Sequence, residues 1–197
     1  MPLRNLQAQG FRGAIYPVNP RHEIVGGLRC YPGLSELPEA PDVALVLVRA
    51  ELVADAVGDC ARAGVRAAIV FAGGFAEAGE QGVLAQRRLG EVASQAGLVC
   101  CGPNTLGVLN FVDQVPLTFA RADEVGVGRA GNIALVSQSG GVMTALAARA
   151  ADLGIGLTYG VATGNEADLT AVEVLRWLAE DPRSDALVAV LEEVRDG

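Results

Sequence analysis

Short apolar bursts recur along the chain with little polar interruption: AIYPV (14–18), VALVLV (43–48), AAIVF (67–71), LVCC (98–101), IALV (133–136), LTYGVA (157–162) and ALVAVL (186–191). Runs of that length without alternation predict strands covered on both faces. Between them apolar residues fall three and four apart, the spacing of helices with one buried stripe. Leu52, Val53, Ala56, Val57 and Cys60 share one such stripe. Val142, Ala145 and Leu146 form a second, and Val172, Leu175 and Leu178 a third within 169–179. Residues 1–11 read as a polar amphipathic helix. Strands alternating with helices over short loops imply parallel sheets with right-handed crossovers, an α/β protein.

The rhythm breaks at ARADEVGVGRAG (120–131), where glycine and charge replace the apolar bursts. The chain is therefore expected to divide into two parallel-sheet domains, residues 1–122 and 123–197. Ligands of such sheets sit beyond the carboxyl ends of the strands. The loops there are NPRHE (19–23), RAE (49–51), AGGFAEAGE (72–80), GPNTLG (102–107), SQSGG (137–141), TGNEAD (163–168) and EEVRDG (192–197).

SQSGG carries the sharpest chemical signal. A strand ending at Val136 feeds a turn, and a helix begins near Val142. That arrangement aims unpaired N–H groups and the positive end of a helix dipole at one point. Ser137 and Ser139 flank Gln138 and supply hydroxyl donors, while Gly140 and Gly141 let an anion approach the backbone. The five residues form a candidate phosphate cradle. It matches neither GxGxxG nor GxxxxGK[ST]. A serine N-cap that serves stability alone is the competing reading.

Composition narrows the classes. The chain is 51% apolar and 19% charged, enough to bury a sizeable core. A net charge of −8 and scattered basic residues, mostly arginine, argue against a nucleic-acid surface. The apolar runs are too short to cross a bilayer, and the first residues carry no signal-peptide core. Cys30, Cys60, Cys100 and Cys101 form no CxxC pair and have one histidine for company. No metal site is expected; buried thiols in a reducing cytoplasm are.

Taken in series, GFRGAIYPVNPR (10–21), AGGFAEAGE (72–80), CGPNTLGVLN (101–110), IALVSQSGGV (133–142), TGNEADL (163–169) and VLEEVRDG (190–197) resemble the NDP-forming (ADP-forming) acyl-CoA synthetases, relatives of the α subunit of succinyl-CoA synthetase. The resemblance implies a Rossmann-like CoA-binding domain followed by a partial flavodoxin-like ligase domain. It implies the reversible reaction of acyl-CoA, phosphate and ADP to free acid, CoA and ATP, through an acyl phosphate and a phosphohistidine. The SQSGG turn would cradle the phosphate, and Glu192 would orient the histidine. Coenzyme A would meet Asn19, Pro20, Arg21, Gly73, Gly74, Phe75, Pro103 and Asn104. ATP or ADP with Mg would bind a partner ATP-grasp domain or subunit, in a cytoplasmic oligomer.

The chain departs from the family pattern at both ends. The family's opening strand and glycine-rich CoA turn belong before Arg4, and its phosphohistidine loop belongs beyond Gly197. His22 follows NPR and is not carried over as that nucleophile. The expectation is a truncated chain, inactive alone, in which another segment or another chain replaces the absent central strand. Thr105 stands where the family often has cysteine, and Arg49 where it usually has proline. A non-catalytic CoA-binding module is the alternative function, and a nicotinamide-dependent oxidoreductase a third. At single sites the plainer readings stay open: a simple turn at Asn19, Pro20 and Arg21, a rigid connection at Gly102–Asn104, solvated carboxylates at Glu77, Glu192 and Glu193, and a helix cap at Asn165.

Overall fold

The computed structural model describes residues 1–121 and 129–194. Helix α1 (Pro2–Ala8) is followed by a small hairpin of β1 (Ile24–Val25) and β2 (Leu28–Arg29). A first sheet holds β3 (Val43–Val46), β4 (Ala67–Val70) and β5 (Val99–Cys101) in that order, all parallel. Helices α2 (Ala50–Arg62) and α3 (Glu80–Ala96) make the crossovers. Val53 and Val57 of α2 and Leu89 and Ala93 of α3 pack with Val70 and Cys100 in its core. The last turn of α3 closes on Gly97 in the left-handed region (φ 65°), where glycine carries no Cβ penalty.

The second sheet is larger and mixed. Its order is β10 (Ala186–Val190), β8 (Ala130–Ser137), β9 (Leu157–Ala162), β6 (Gly107–Asn110), β7 (Val115–Thr118). The β10–β8–β9 part is parallel, whereas β6 runs antiparallel to both β9 and β7. Helix α4 (Gly140–Asp152) covers one face, with Met143 and Ala147 packed on Leu109 and Leu135. Helix α5 (Ala171–Glu180) covers the other, with Val174 and Leu178 packed on Val136, Tyr159 and Val161. All of β9 is buried, as a run covered on both faces must be. A capping box of Thr170 and Glu173 starts α5.

The α/β class expected from the sequence is what the structure has, with three local differences. Residues 14–18 form no ladder: Val18 makes one isolated parallel bridge to Tyr31. An apolar burst becomes a strand only where a neighbour's N–H and C=O groups meet it. Among the described residues β3 pairs with β4 alone, so no strand of this chain takes the place expected for the absent central strand. Second, the hairpin β6–β7 was not among the expected strands, and it pairs with the second sheet although its sequence falls within 1–122. The expected boundary at 122/123 lies outside the described residues. Third, helix α1 is fastened to β7 by Asn5, whose Nδ2 donates to the carbonyls of Thr118 (3.0 Å) and Ala120 (2.7 Å).

Candidate phosphate and CoA site

The two halves meet around a cleft of about 540 Å³ that contains the SQSGG turn. Ser137 ends β8 and is fully buried; its Oγ donates to the Ser139 carbonyl (2.9 Å) and accepts from the Ser139 N–H (3.1 Å). Ser139 is the N-cap of α4, with its Oγ accepting from Val142 N–H at 3.3 Å. The cap reading is therefore realised, and it leaves the hydroxyl proton of Ser139 as a donor. The first-turn N–H groups of Gly140 and Gly141 have no intrahelical acceptor, and both residues line the cleft. Three donors, one hydroxyl and two backbone N–H groups, stand at the cleft with the helix dipole behind them.

Gln138 plays a different part from the one expected. Its Oε1 accepts from the N–H groups of Glu192 (2.7 Å) and Glu193 (2.9 Å), and its Nε2 donates to the Glu193 carbonyl (2.8 Å). It clamps the segment after β10 against the turn and so sets the place of Glu192, which lines the same cleft.

The first half contributes Asn104 and Thr105 to this cleft. Asn104 sits at φ 57°, a left-handed conformation that asparagine tolerates. It is exposed, and its Nδ2 donates to Asn165 Oδ1 (3.2 Å). Thr105 is buried; its hydroxyl donates to the Ala162 carbonyl and accepts from Gly107 N–H at 2.9 Å. Pro103 is buried away from the cleft, and its carbonyl accepts from Asn165 N–H (2.9 Å). The TGNEADL segment runs along 100–103 through that bond and two more, Ala167 N–H to Gly102 O (2.9 Å) and Leu169 N–H to Cys100 O (3.0 Å).

The AGGFAE loop is folded onto itself. Glu77 accepts from the N–H groups of Gly74 (2.6 Å) and Phe75 (3.2 Å) and from Asn165 Nδ2. Burial pushes the Glu77 carboxyl up, but the bonds from Asn165, Gly74 and Phe75 outweigh it and hold the group below the usual carboxylate range. Phe75, expected among the CoA contacts, is 1% exposed and packs its side chain in the first core. Gly73 stays exposed between Glu77 and Asn104.

Asn19, Pro20 and Arg21 lie elsewhere, in a second cleft of about 680 Å³ with His22 and Arg29. Asn19 Oδ1 accepts from Arg21 N–H (2.9 Å), the turn that Asn-Pro forms. Two guanidinium groups on one concave surface suit the phosphates of a nucleotide-like ligand such as CoA. The thiols are poor nucleophiles: burial pushes both Cys100 and Cys101 up to about 12.

Sequence reasoning missed the Glu77–Gln86–Asn165 network, in which Gln86 Nε2 donates to the Asn165 carbonyl (2.9 Å) and Gln86 Oε1 accepts from Asn165 Nδ2 (3.1 Å). It also missed Glu166, a buried carboxylate at φ 56° that accepts from Thr163 Oγ1 (2.7 Å) and Ala171 N–H (2.9 Å). A lone mid-helix glutamine gives no signal in a sequence. An acidic residue a few positions before a helix does, as a cap.

Two family models match this architecture: a CoA binding domain over residues 1–110, and a succinyl-CoA ligase like flavodoxin domain over 130–197. The chain belongs to the NDP-forming acyl-CoA synthetase family. The acetate–CoA ligase (ADP-forming) I of Archaeoglobus fulgidus is 37% identical over 99% of this chain, which covers 28% of that protein. The α subunit of acetate–CoA ligase (ADP-forming) I of Pyrococcus furiosus is 33% identical over 99% of this chain and is covered to 42%. The dinucleotide-forming acetyl-coenzyme A synthetase 1 of Ca. Korarchaeum cryptofilum, solved with phosphate and ADP, superposes with a TM-score of 0.91 at 35% identity. That likeness spans 99% of this chain and 41% of that one. This synthetase-family chain thus spans well under half the length of these relatives. Among the described residues no helix is long and apolar enough to cross a membrane.

Proposed function

We propose that this chain is the CoA-binding and phosphate-relay portion of an NDP-forming acyl-CoA synthetase. The reaction is acyl-CoA, phosphate and ADP to free acid, CoA and ATP. The observation that carries the reading is the Ser139–Gly141 donor set at the head of α4, open to a cleft that Asn104 and Thr105 reach from the other half. In this reading the turn holds the phosphoryl group, and Glu192, fixed by Gln138, orients the phosphorylated histidine. Arg21 and Arg29 hold the CoA phosphates in the second cleft. CoA supplies the thiol that carries the acyl group. The nucleotide and Mg belong to an ATP-grasp partner, a division of labour supported by relatives that are named as α subunits. A cytoplasmic setting fits four cysteines that all stand as free, buried thiols.

Isothermal titration tests the reading. The chain should bind CoA and not NAD. Arg21→Ala should weaken CoA about tenfold and leave phosphate alone, because its fork is a direct phosphate ligand. Ser139→Ala should weaken phosphate and leave CoA alone. Equal losses of both ligands in both variants would remove the turn from phosphate binding.

A further inference from the structure

The second cleft, with Asn19, Arg21, His22, Glu23 and Arg29 on its wall, is backed by a pair of aromatic rings. Strand β2 ends at Arg29, and the chain runs on to Tyr31, which makes the parallel bridge to Val18. Residues two apart in an extended chain point to the same face, so these two side chains meet. The guanidinium carbon of Arg29 lies over the Tyr31 ring, 4.9 Å from its centroid. Tyr16 packs against Tyr31 edge to face, with centroids 5.9 Å apart and planes at 84°. The Tyr16 hydroxyl donates to Glu39 Oε1 at 2.6 Å and so fixes the outer end of the row.

The main chain of Tyr31 holds the other arginine. Its N–H donates to the Pro17 carbonyl (2.8 Å), and its carbonyl accepts from the Asn19 N–H (2.9 Å). Asn19 in turn accepts from the Arg21 N–H through its side chain. Arg29, Cys30 and Pro32 line the cleft, while Tyr31 stands behind Arg29. Stacking occupies the flat face of a guanidinium and leaves its N–H edge for phosphate oxygens. A long exposed arginine loses rotamer freedom when it takes a ligand, and a ring that already holds it removes part of that loss. We propose that Tyr31 is a positioning residue for coenzyme A: its ring holds the Arg29 guanidinium at the second cleft, and its main chain holds the turn that carries Arg21. The proposal rests on the CoA reading above and deepens it by naming the residue that sets both arginines.

The test is isothermal titration of the 197-residue chain with CoA, run as a double-mutant cycle. Tyr31→Leu removes the ring and keeps the main-chain bonds. It should weaken CoA about fivefold, the factor that one partly exposed cation–π contact carries. Tyr31→Phe keeps the ring face and should bind CoA within about twofold of the unsubstituted chain. Arg29→Ala should weaken CoA about tenfold, as loss of a direct phosphate ligand does. In that background Tyr31→Leu should change affinity by less than about twofold, because the ring has nothing left to hold. Should Tyr31→Leu fail to fold by circular dichroism, Tyr31→Met fills the space with a flexible chain and no ring, and takes its place in the cycle. A loss of the same size without Arg29, or in Tyr31→Phe, overturns the positioning role and leaves the CoA reading standing. Undiminished CoA binding by folded Tyr31→Leu or by Arg29→Ala does the same. If the unsubstituted chain does not bind CoA, the synthetase reading fails and this proposal with it.

Discussion

Two glycine-paired turns follow buried parallel strands in this molecule, and they end in opposite conditions. After β4, the N–H groups of Gly74 and Phe75 both donate to Glu77, and Phe75 turns into the core. After β8, α4 starts at once, and Gly140 and Gly141 face the cleft with no acceptor in their own helix. The carboxylate of Glu77 sits where an anion would sit in the first turn. A glycine-rich turn is therefore an anion site only when its own chain leaves the donors uncommitted. This contrast is what makes the SQSGG turn, and not the AGGFAE loop, the candidate phosphate cradle.

The largest effect should come from breaking the self-folded turn through its support. A Cβ on Gly82 of α3 would lie 1.7 Å from the Phe75 carbonyl oxygen, a backbone atom that cannot step aside. Gly82→Ala should cost about 3 kcal/mol or more, read as a lower urea midpoint, because overpacking against backbone is relieved only by moving the helix. The matching change in the open turn is gentler for the fold and harsher for the ligand. At Gly140 the obstacle is the Leu106 side chain, which can rotate, and alanine is the better helix former. Gly140→Ala should shift stability by no more than about 1 kcal/mol while phosphate affinity falls about tenfold. Equal effects of the two substitutions on the urea midpoint would erase the distinction between a structural and a functional glycine.

The Glu77 latch sharpens the same comparison through pH. Its folded-state pKa lies below the usual 4.5, so its contribution is complete above that value and fades as pH falls through the lower folded value. Glu77→Gln should lower stability by about 1 kcal/mol at pH 7, at the weak end for bonds to a charged group because the carboxylate is largely exposed. The melting temperatures of the two proteins should converge as pH falls through that lowered folded value. A gap that does not shrink as the pH is lowered until the carboxyl is protonated would mean that the loop is held by shape and not by the carboxylate.

What could be read from the sequence follows the same physical line. The strand bursts at 67–71, 133–136 and 157–162 were legible because burial on both faces forces unbroken apolar runs, and 43–48 shows the same run although Leu47 and Val48 are exposed. The burst at 14–18 looked the same but makes a single bridge, since a strand is a property of a pair and the sequence shows one member. The β6–β7 hairpin was hidden because GVLN and VPLT are short and the second contains proline, which suits an edge position. At the site, the SQSGG turn was visible through its residue types. The roles of Gln138 and Phe75 were not, because each depends on which way a side chain turns. Gln138 reaches across to the segment after β10 and Phe75 inward, and residues in a turn carry no periodicity that tells the two apart.

The smallest expected effect falls on Ser139, where the stability and ligand roles meet in one hydroxyl. Its cap bond to Val142 N–H is long, at 3.3 Å, and the Ser137 hydroxyl already serves the Ser139 N–H and carbonyl. Ser139→Ala should therefore cost only about 0.5 kcal/mol, the low end for loss of a serine N-cap. Ser139→Gly should behave almost identically for stability, since glycine is tolerated at that position. Replacement by threonine keeps the hydroxyl and should restore both the cap and the phosphate contact. The order of phosphate affinities, serine and threonine above glycine and alanine, then follows the presence of the O–H donor and not the stability of α4. If affinity instead tracked the melting temperature across all four proteins, the hydroxyl would be a cap and nothing more, and the phosphate would rest on the Gly140 and Gly141 amides alone.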